Sequence, residues 1–175
     1  MCSKKLPELL GTDAADVMAE AVTAVTAKSF FTVAERCDER RFADLSAGAR
    51  GWWHVSVQFT EGEDSGVVSC TLTDDLAHAL FDAFTGRDPL DAPARTEDLV
   101  DLLGEFSNMV GGTWLTRLAN HQTFSLSSPQ VERTETAPQP TDADTRVLLT
   151  VNDRPLAVEI RIGAPADRRA SPVGA

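Results

Sequence analysis

Asp101-Leu102-Leu103-Gly104-Glu105-Phe106-Ser107-Asn108-Met109-Val110-Gly111-Gly112 is the stretch on which the reading of this chain turns. At about 100° per residue, Asp101, Glu105, Asn108 and Gly112 fall on one line along a helix. Leu99, Leu102, Leu103, Phe106 and Val110 fall on a broad arc opposite. Thr96, followed by Glu97 and Asp98, supplies a cap and the acidic first turn that a helix dipole favours. The pattern predicts a long amphipathic helix with one face in the core and the polar line in water. Periodicity alone makes that line an ordinary solvated face. The adjacent glycines, Gly111 and Gly112, each cost about 1 kcal/mol relative to alanine inside a helix. Either they let a partner backbone approach the line, or they end or bend the helix.

Outward from this helix the chain alternates between elements. Val17, Met18, Ala21, Val22 and Val25 recur at helical spacing between about Asp13 and Ala27, with Thr12 as the expected cap. Phe30 to Glu35 reads as extended. Trp53, Val55, Val57 and Phe59 alternate with Trp52, His54, Ser56 and Gln58, the two-residue period of a half-buried strand. A Gly- and acid-rich turn leads to a returning strand over Val67 to Leu72, and Thr73 caps a helix ending near Gly86. Phe124 and Leu126 mark a further strand reaching Pro129. Thr134 to Asp144 reads as an exposed loop. Strands follow over Arg146 to Val151 and Leu156 to Ile162. The residues from Ala164 onward carry no core pattern and are expected to be a disordered tail, with residues 1–163 forming one domain.

The bulk composition narrows the class. The chain has 175 residues, 42% hydrophobic and 25% charged, which suits one globular domain. Its formal net charge of −11 opposes nucleic acid and anionic membranes alike. No apolar run is long enough to span a bilayer, and Lys4 and Lys5 are followed by no signal-like segment. Cys2, Cys37 and Cys70 are odd in number and far apart, as free thiols in a reducing cytoplasm would be. A cytoplasmic location is therefore expected.

The two long helices echo one another. Asp16, Glu20 and Thr23 repeat the spacing of Asp101, Glu105 and Asn108, and Val17, Met18, Ala21 and Val25 match Leu102, Leu103, Phe106 and Val110. Each helix precedes three strand-like segments, so a pseudo-symmetric α/β layer is expected.

The run Asp101-x-x-x-Glu105-x-x-Asn108, with Pro129 beyond it, resembles the signature of the CheC/CheX chemotaxis phosphatases, and the stretch from Gly66 to Val131 is most similar to the CheX branch. Asn108 and Pro129 are separated by 20 residues, a shorter interval than the family pattern has. The resemblance implies a single CheX-like α/β (α+β) domain: a mostly antiparallel, pseudo-symmetric sheet of about six strands packed by two long helices and a shorter one. It implies hydrolysis of the aspartyl-phosphate of a CheY-like receiver domain. Asn108 would orient the attacking water and Glu105 would pair with the receiver's lysine; Asp101, Gly111 and Gly112 would serve docking. Mg²⁺ would come from the receiver, and the chain would need no cofactor of its own. Thr23, standing where an active copy would carry asparagine, implies one site per chain. The resemblance also implies a homodimer. The competing expectations are a CheX-like module that binds a receiver without catalysis, and an adaptor related to flagellar switch proteins.

Other candidate chemistry is sparse. His54, His78 and His121 lack metal-ligand or triad spacing, and Ser125, Ser127 and Ser128 lack a nucleophile-elbow context. Trp52 and Trp53 point to opposite faces of one strand, so one indole is expected in the core and the other is a candidate interface anchor.

Overall fold

A computed structural model describes residues 13–61, 64–88, 92–118, 123–136 and 142–163. Their elements, in chain order, are α1 (Ala14–Ser29), β1 (Ala34–Arg36), α2 (Glu39–Ser46), β2 (Trp52–Glu61), β3 (Asp64–Thr73), α3 (Asp74–Thr85), α4 (Thr96–Leu118), β4 (Ser125–Leu126), β5 (Gln130–Thr134), β6 (Thr145–Val151) and β7 (Arg154–Ile162). The tail from Ala164, Thr12, His121 and part of the expected Thr134–Asp144 loop lie outside the described residues.

The expected antiparallel α/β architecture is present, with a seventh strand and a fourth helix added. The sheet order is β1-β6-β7-β3-β2-β4, with β5 also paired to β2. Every pairing is antiparallel. The order reads alike from both ends. The first strand after α1 pairs with β6, and the first strands after α4 pair with β2, while β3 and β7 meet at the centre. The internal echo read from the two helices is therefore a pseudo-twofold arrangement of the whole sheet.

Strand periodicity decides the layers. Trp53, Val55, Phe59, Val68, Cys70, Leu72, Val147, Leu149, Val158 and Ile160 share one buried cluster with Met18 and Val22 of α1, Leu76 and Leu80 of α3, and Leu103, Phe106, Val110 and Trp114 of α4. These three helices thus cover one sheet face. The other face carries α2, whose Asp38 side chain accepts from the Arg41 N–H at 2.7 Å and caps it. Phe42 of α2 packs against Trp52 at 6.4 Å between ring centroids and lies beneath the Arg146 guanidinium. Both tryptophans are consequently buried, at 2% exposure each, and Trp52 is no interface anchor.

Local chemistry sets the helix ends. Thr73 Oγ1 accepts from the Leu76 N–H at 3.3 Å, as its position before two aspartates predicts. For α4 the cap lies one residue earlier than expected. The Asp98 carboxylate reaches back to the Arg95 N–H at 3.3 Å and its guanidinium at 2.8 and 2.9 Å, leaving Thr96 inside the helix. α1 begins at Ala14 behind Asp13, whose side chain makes no cap bond. The β6–β7 hairpin turns through Asn152 and Asp153, both with positive φ (48° and 60°), the residue types best able to adopt that conformation.

Candidate functional site on the long helix

α4 runs unbroken past Gly111 and Gly112 to Leu118, so the glycines neither end nor interrupt it. Its buried face carries Leu99, Leu103, Phe106, Val110 and Trp114. Asp101 and Glu105 are exposed, and Asn108 and Gly112 are half-buried at the edge of the same face. The sequence-predicted row is thus assembled on one accessible surface. Asp101, Glu105 and Asn108 have no hydrogen-bond or ion-pair partner among the described residues. Asn108 Oδ1 is shielded from solvent and also lacks a donor. An unmet buried carbonyl costs about 1–3 kcal/mol, so that carboxamide gains from any donor brought to it.

The row lies between two flanks. On one, the segment from Leu126 to Pro129 runs beside α4. A Cβ placed on Gly112 would stand 4.0 Å from Leu126 Cδ1, and one on Gly104 would stand 3.3 Å from Pro129 Cγ and 3.4 Å from its Cβ. Three residues of extended chain cover roughly 10 Å and eight helical residues roughly 12 Å, so the two stretches match in length. This is how the shorter interval before Pro129 still delivers the proline to the turn that carries Glu105. The ring sits against bare backbone because Gly104 has no side chain. The prolyl residue also divides the expected strand. β4 ends at Leu126, Ser127 bonds to Gln58 through both its N–H (2.9 Å, to the carbonyl) and its hydroxyl (3.1 Å, from the Gln58 N–H), and β5 resumes at Gln130.

On the other flank α1 packs antiparallel to α4, as the contacts Glu20–Arg117 and Phe30–Phe106 require. Their C-terminal halves leave a groove of about 390 Å³ lined by Lys28, Met109, Gly112, Thr113 and Arg117 among others. Lys28 has no ion-pair partner among the described residues. The echo of the row on α1 is chemically spent. Asp16 is paired with Arg36, and Glu20 with Arg117 at 3.3 Å. The Thr23 hydroxyl donates to the Ala19 carbonyl at 2.9 Å. One helix therefore offers a free acid and amide, and its pseudo-symmetric counterpart offers neither.

Chemistry elsewhere is structural in character. The Asp74 carboxylate accepts from Trp53 Nε1 at 2.8 Å and from Arg133 at 3.1 and 3.2 Å. Chiefly through the Arg133 hydrogen bond, its pKa lies below the ordinary aspartate value. Burial pushes the Cys70 thiol up to about 11, against a smaller opposing effect of the Ser107 hydroxyl. His54 Nδ1 lies 3.1 Å from Thr71 Oγ1 on the sheet's outer face, and His78 lines a separate cavity beside Asp74 and Asp75. No group of three or more metal-ligating side chains occurs among the described residues, and no helix among them is long and apolar enough to cross a membrane.

Neither Gly104 nor Leu126 was a candidate site residue in the sequence, where Leu126 served only to mark a strand. The one local signal for Gly104 was a glycine inside a helical pattern, next to Glu105. Nothing local pointed to Leu126 lying beside Gly112.

No model of a protein family matches the chain, and neither does any curated protein. Solved structures do. The chemotaxis protein CheX from Vibrio vulnificus superposes with a TM-score of 0.68 at 17% identity, over 87% of this chain and 97% of that one. CheX from Desulfovibrio desulfuricans gives 0.64 at 21% identity, over 86% and 99%. A chain of the CheX–CheY–BeF₃–Mg²⁺ complex from Borrelia burgdorferi gives 0.57 at 13% identity, over 85% and 97%. Nearly the whole of each neighbour is matched, helices and sheet together: the chain has the fold of the CheX and CheC-like chemotaxis proteins.

Proposed function

We propose that this protein is a cytoplasmic phosphatase that hydrolyses the aspartyl-phosphate of a CheY-like response-regulator receiver domain. The observation that carries the reading is the contrast between the two helices: Glu105 and Asn108 stand unpaired on α4, whereas the matching acid and hydroxyl on α1 are bonded within the fold. The reaction asks little of the enzyme. The receiver's own Mg²⁺ and lysine neutralise the phosphoryl oxygens, and what remains is to hold a water in line with phosphorus. A carboxamide offers an acceptor and a donor without adding charge. Asn108 orients that water. Glu105, one turn earlier, pairs with the receiver's lysine and fixes how far the helix inserts. Asp101, a further turn back, and the bare backbone at Gly112 take part in docking; Gly111, expected beside it, is buried against Val68 of the sheet and has no such role. Mg²⁺ belongs to the substrate protein.

The test times the loss of phosphate from acetyl-phosphate-loaded receiver domains. Wild-type chain should shorten the half-life, and Asn108→Ala should return it to the spontaneous value while the variant still folds and binds. An unchanged half-life with wild type for every receiver refutes the phosphatase.

A second reading is a binding module that docks on a receiver without catalysis. It is favoured by one detail: Asn108 Oδ1 is shielded from solvent in the isolated chain. The two readings part on a single measurement, since the module binds the phosphorylated receiver and leaves its half-life alone. Self-association through the free strands β1 or β4–β5 belongs to the first reading as an expectation, and sedimentation checks it.

A further inference from the structure

Among the described residues the large apolar side chains most open to solvent are Phe31 at 82%, Val33 at 63% and Phe84 at 50%. They are neighbours in the fold. Phe31 and Val33 follow the end of α1, and Phe84 stands in the last turn of α3. The fully buried Phe30, next to Phe31 in the chain, has its ring centroid 5.6 Å from that of Phe84 and 5.4 Å from that of Phe106. The link to the row runs through α1: Lys28, three residues before Phe31, lines one groove with Met109 and Gly112 of α4.

Phe31 is also strained. Its φ of +51° lies in the left-handed region, which side chains with a Cβ avoid and where a helix exit normally carries glycine. The isolated chain thus bears a steric cost in order to hold an aromatic ring out in water. Scattered exposed hydrophobics need no explanation, but a strained aromatic within a cluster of them does. Lys28, three residues before Phe31 and unpaired among the described residues, puts a positive charge at the patch's edge in a chain of net charge −11.

Resting on the function proposed above, we propose that Phe31 and Phe84, with Lys28 beside them, form the platform on which the phosphorylated receiver docks. The platform sets affinity, while the row on α4 meets the phosphoryl group. An unpaired cation in the groove that Gly112 of the row also lines, in a chain of net charge −11, favours a phosphate-bearing occupant.

Phe31→Gly tests this without endangering the fold, because glycine adopts the left-handed conformation freely and the ring it removes is exposed. Its thermal midpoint should equal or exceed that of wild type. KM for the phosphorylated receiver, and Kd for the beryllofluoride-activated receiver, should rise by about tenfold, the usual weight of an aromatic anchor, with kcat held. Phe31→Asn, which also tolerates positive φ, should behave alike, and Lys28→Glu should add a salt-dependent loss. Unchanged KM and Kd in a folded Phe31→Gly, in a protein whose wild type is active, overturn the platform and leave the phosphatase standing. A variant whose only change is a lower sedimentation mass makes the patch a self-association surface and overturns it likewise. A wild-type chain that neither binds nor dephosphorylates any receiver overturns both.

Discussion

Gly111 and Gly112 are adjacent, both helical and about 100° apart, and the fold makes them a matched pair of probes. A Cβ on Gly111 would meet Val68 at 3.9 Å and one on Gly112 would meet Leu126 at 4.0 Å, both ordinary contact distances. Alanine therefore fits at either position without displacing a neighbour. The change from glycine to alanine stabilises a helix interior by about 1 kcal/mol where, as here, the methyl meets no obstacle. That corresponds to roughly 3 °C in the thermal midpoint of a chain this size. In urea, with a slope of about 2 kcal/mol/M, it is a midpoint shift of about 0.5 M. Both single variants should show the gain. They should differ in function, because Gly111 faces the sheet and Gly112 lies on the row. If a receiver's backbone closes against α4, the methyl at 112 intrudes at the interface and should cut kcat/KM by about tenfold, the effect of modest overpacking. Gly111→Ala should keep full activity. The measurements are urea unfolding by tryptophan fluorescence and the receiver dephosphorylation assay, run on both variants. Equal activity of a stabilised Gly112→Ala and wild type would refute close approach at this turn. A loss of stability at 112 would refute the packing described here.

The contact between Gly104 and Pro129 makes a second prediction. Gly104→Ala gains helix propensity but crowds a proline ring already at 3.3 Å, and should come out near neutral. Gly104→Leu cannot be accommodated and should cost about 1–3 kcal/mol in urea unfolding while pushing the 126–129 segment off the row. Asp74 makes a third. Asp74→Ala removes the acceptor of the Trp53 indole and of Arg133, and should destabilise by about 1–3 kcal/mol in the same assay. Because the carboxyl is held below its ordinary value, its contribution is complete above roughly pH 4 and fades as pH falls through the lowered folded value. Midpoints measured from pH 5 down to pH 2 should fall more steeply for wild type than for Asp74→Asn.

How much was legible beforehand follows from where each instruction resides. The β2 strand, the Thr73 cap and the polar row on α4 are written locally, in alternation, in a capping side chain and in helical spacing. α2 was not foreseen because its eight residues bury no side chain. Phe42 and Leu45 make too short an apolar pattern, and only the Asp38 cap marks it. β5 was missed for a related reason. It is a polar strand at the border of the sheet, stabilised by its backbone pairing to β2 and showing no buried alternation. The burial of both Trp52 and Trp53 depends on α2 covering the second face, so a strand viewed alone could not reveal it. Of the row itself, spacing gave the shared face. The contrast between the two copies depends on Arg36, Arg117 and the Ala19 carbonyl engaging the residues of α1, which are contacts between distant parts of the chain or along a different helix.

The order of strands has a consequence for how the chain must assemble. Each half sends its first strand across to border the other half's pair: Ala34–Arg36 joins Leu149–Val151, and Gln130–Thr134 joins Trp52–Ser56. Neither half therefore owns a finished sheet. A fragment ending before α4 would keep β2 with its outer side bare and β1 with nothing to pair to, and two such fragments could satisfy each other by the same exchange. The full chain is the tethered form of that reciprocal trade, and the tether lets one partner keep the free acid and amide while the other gives its equivalents over to structure.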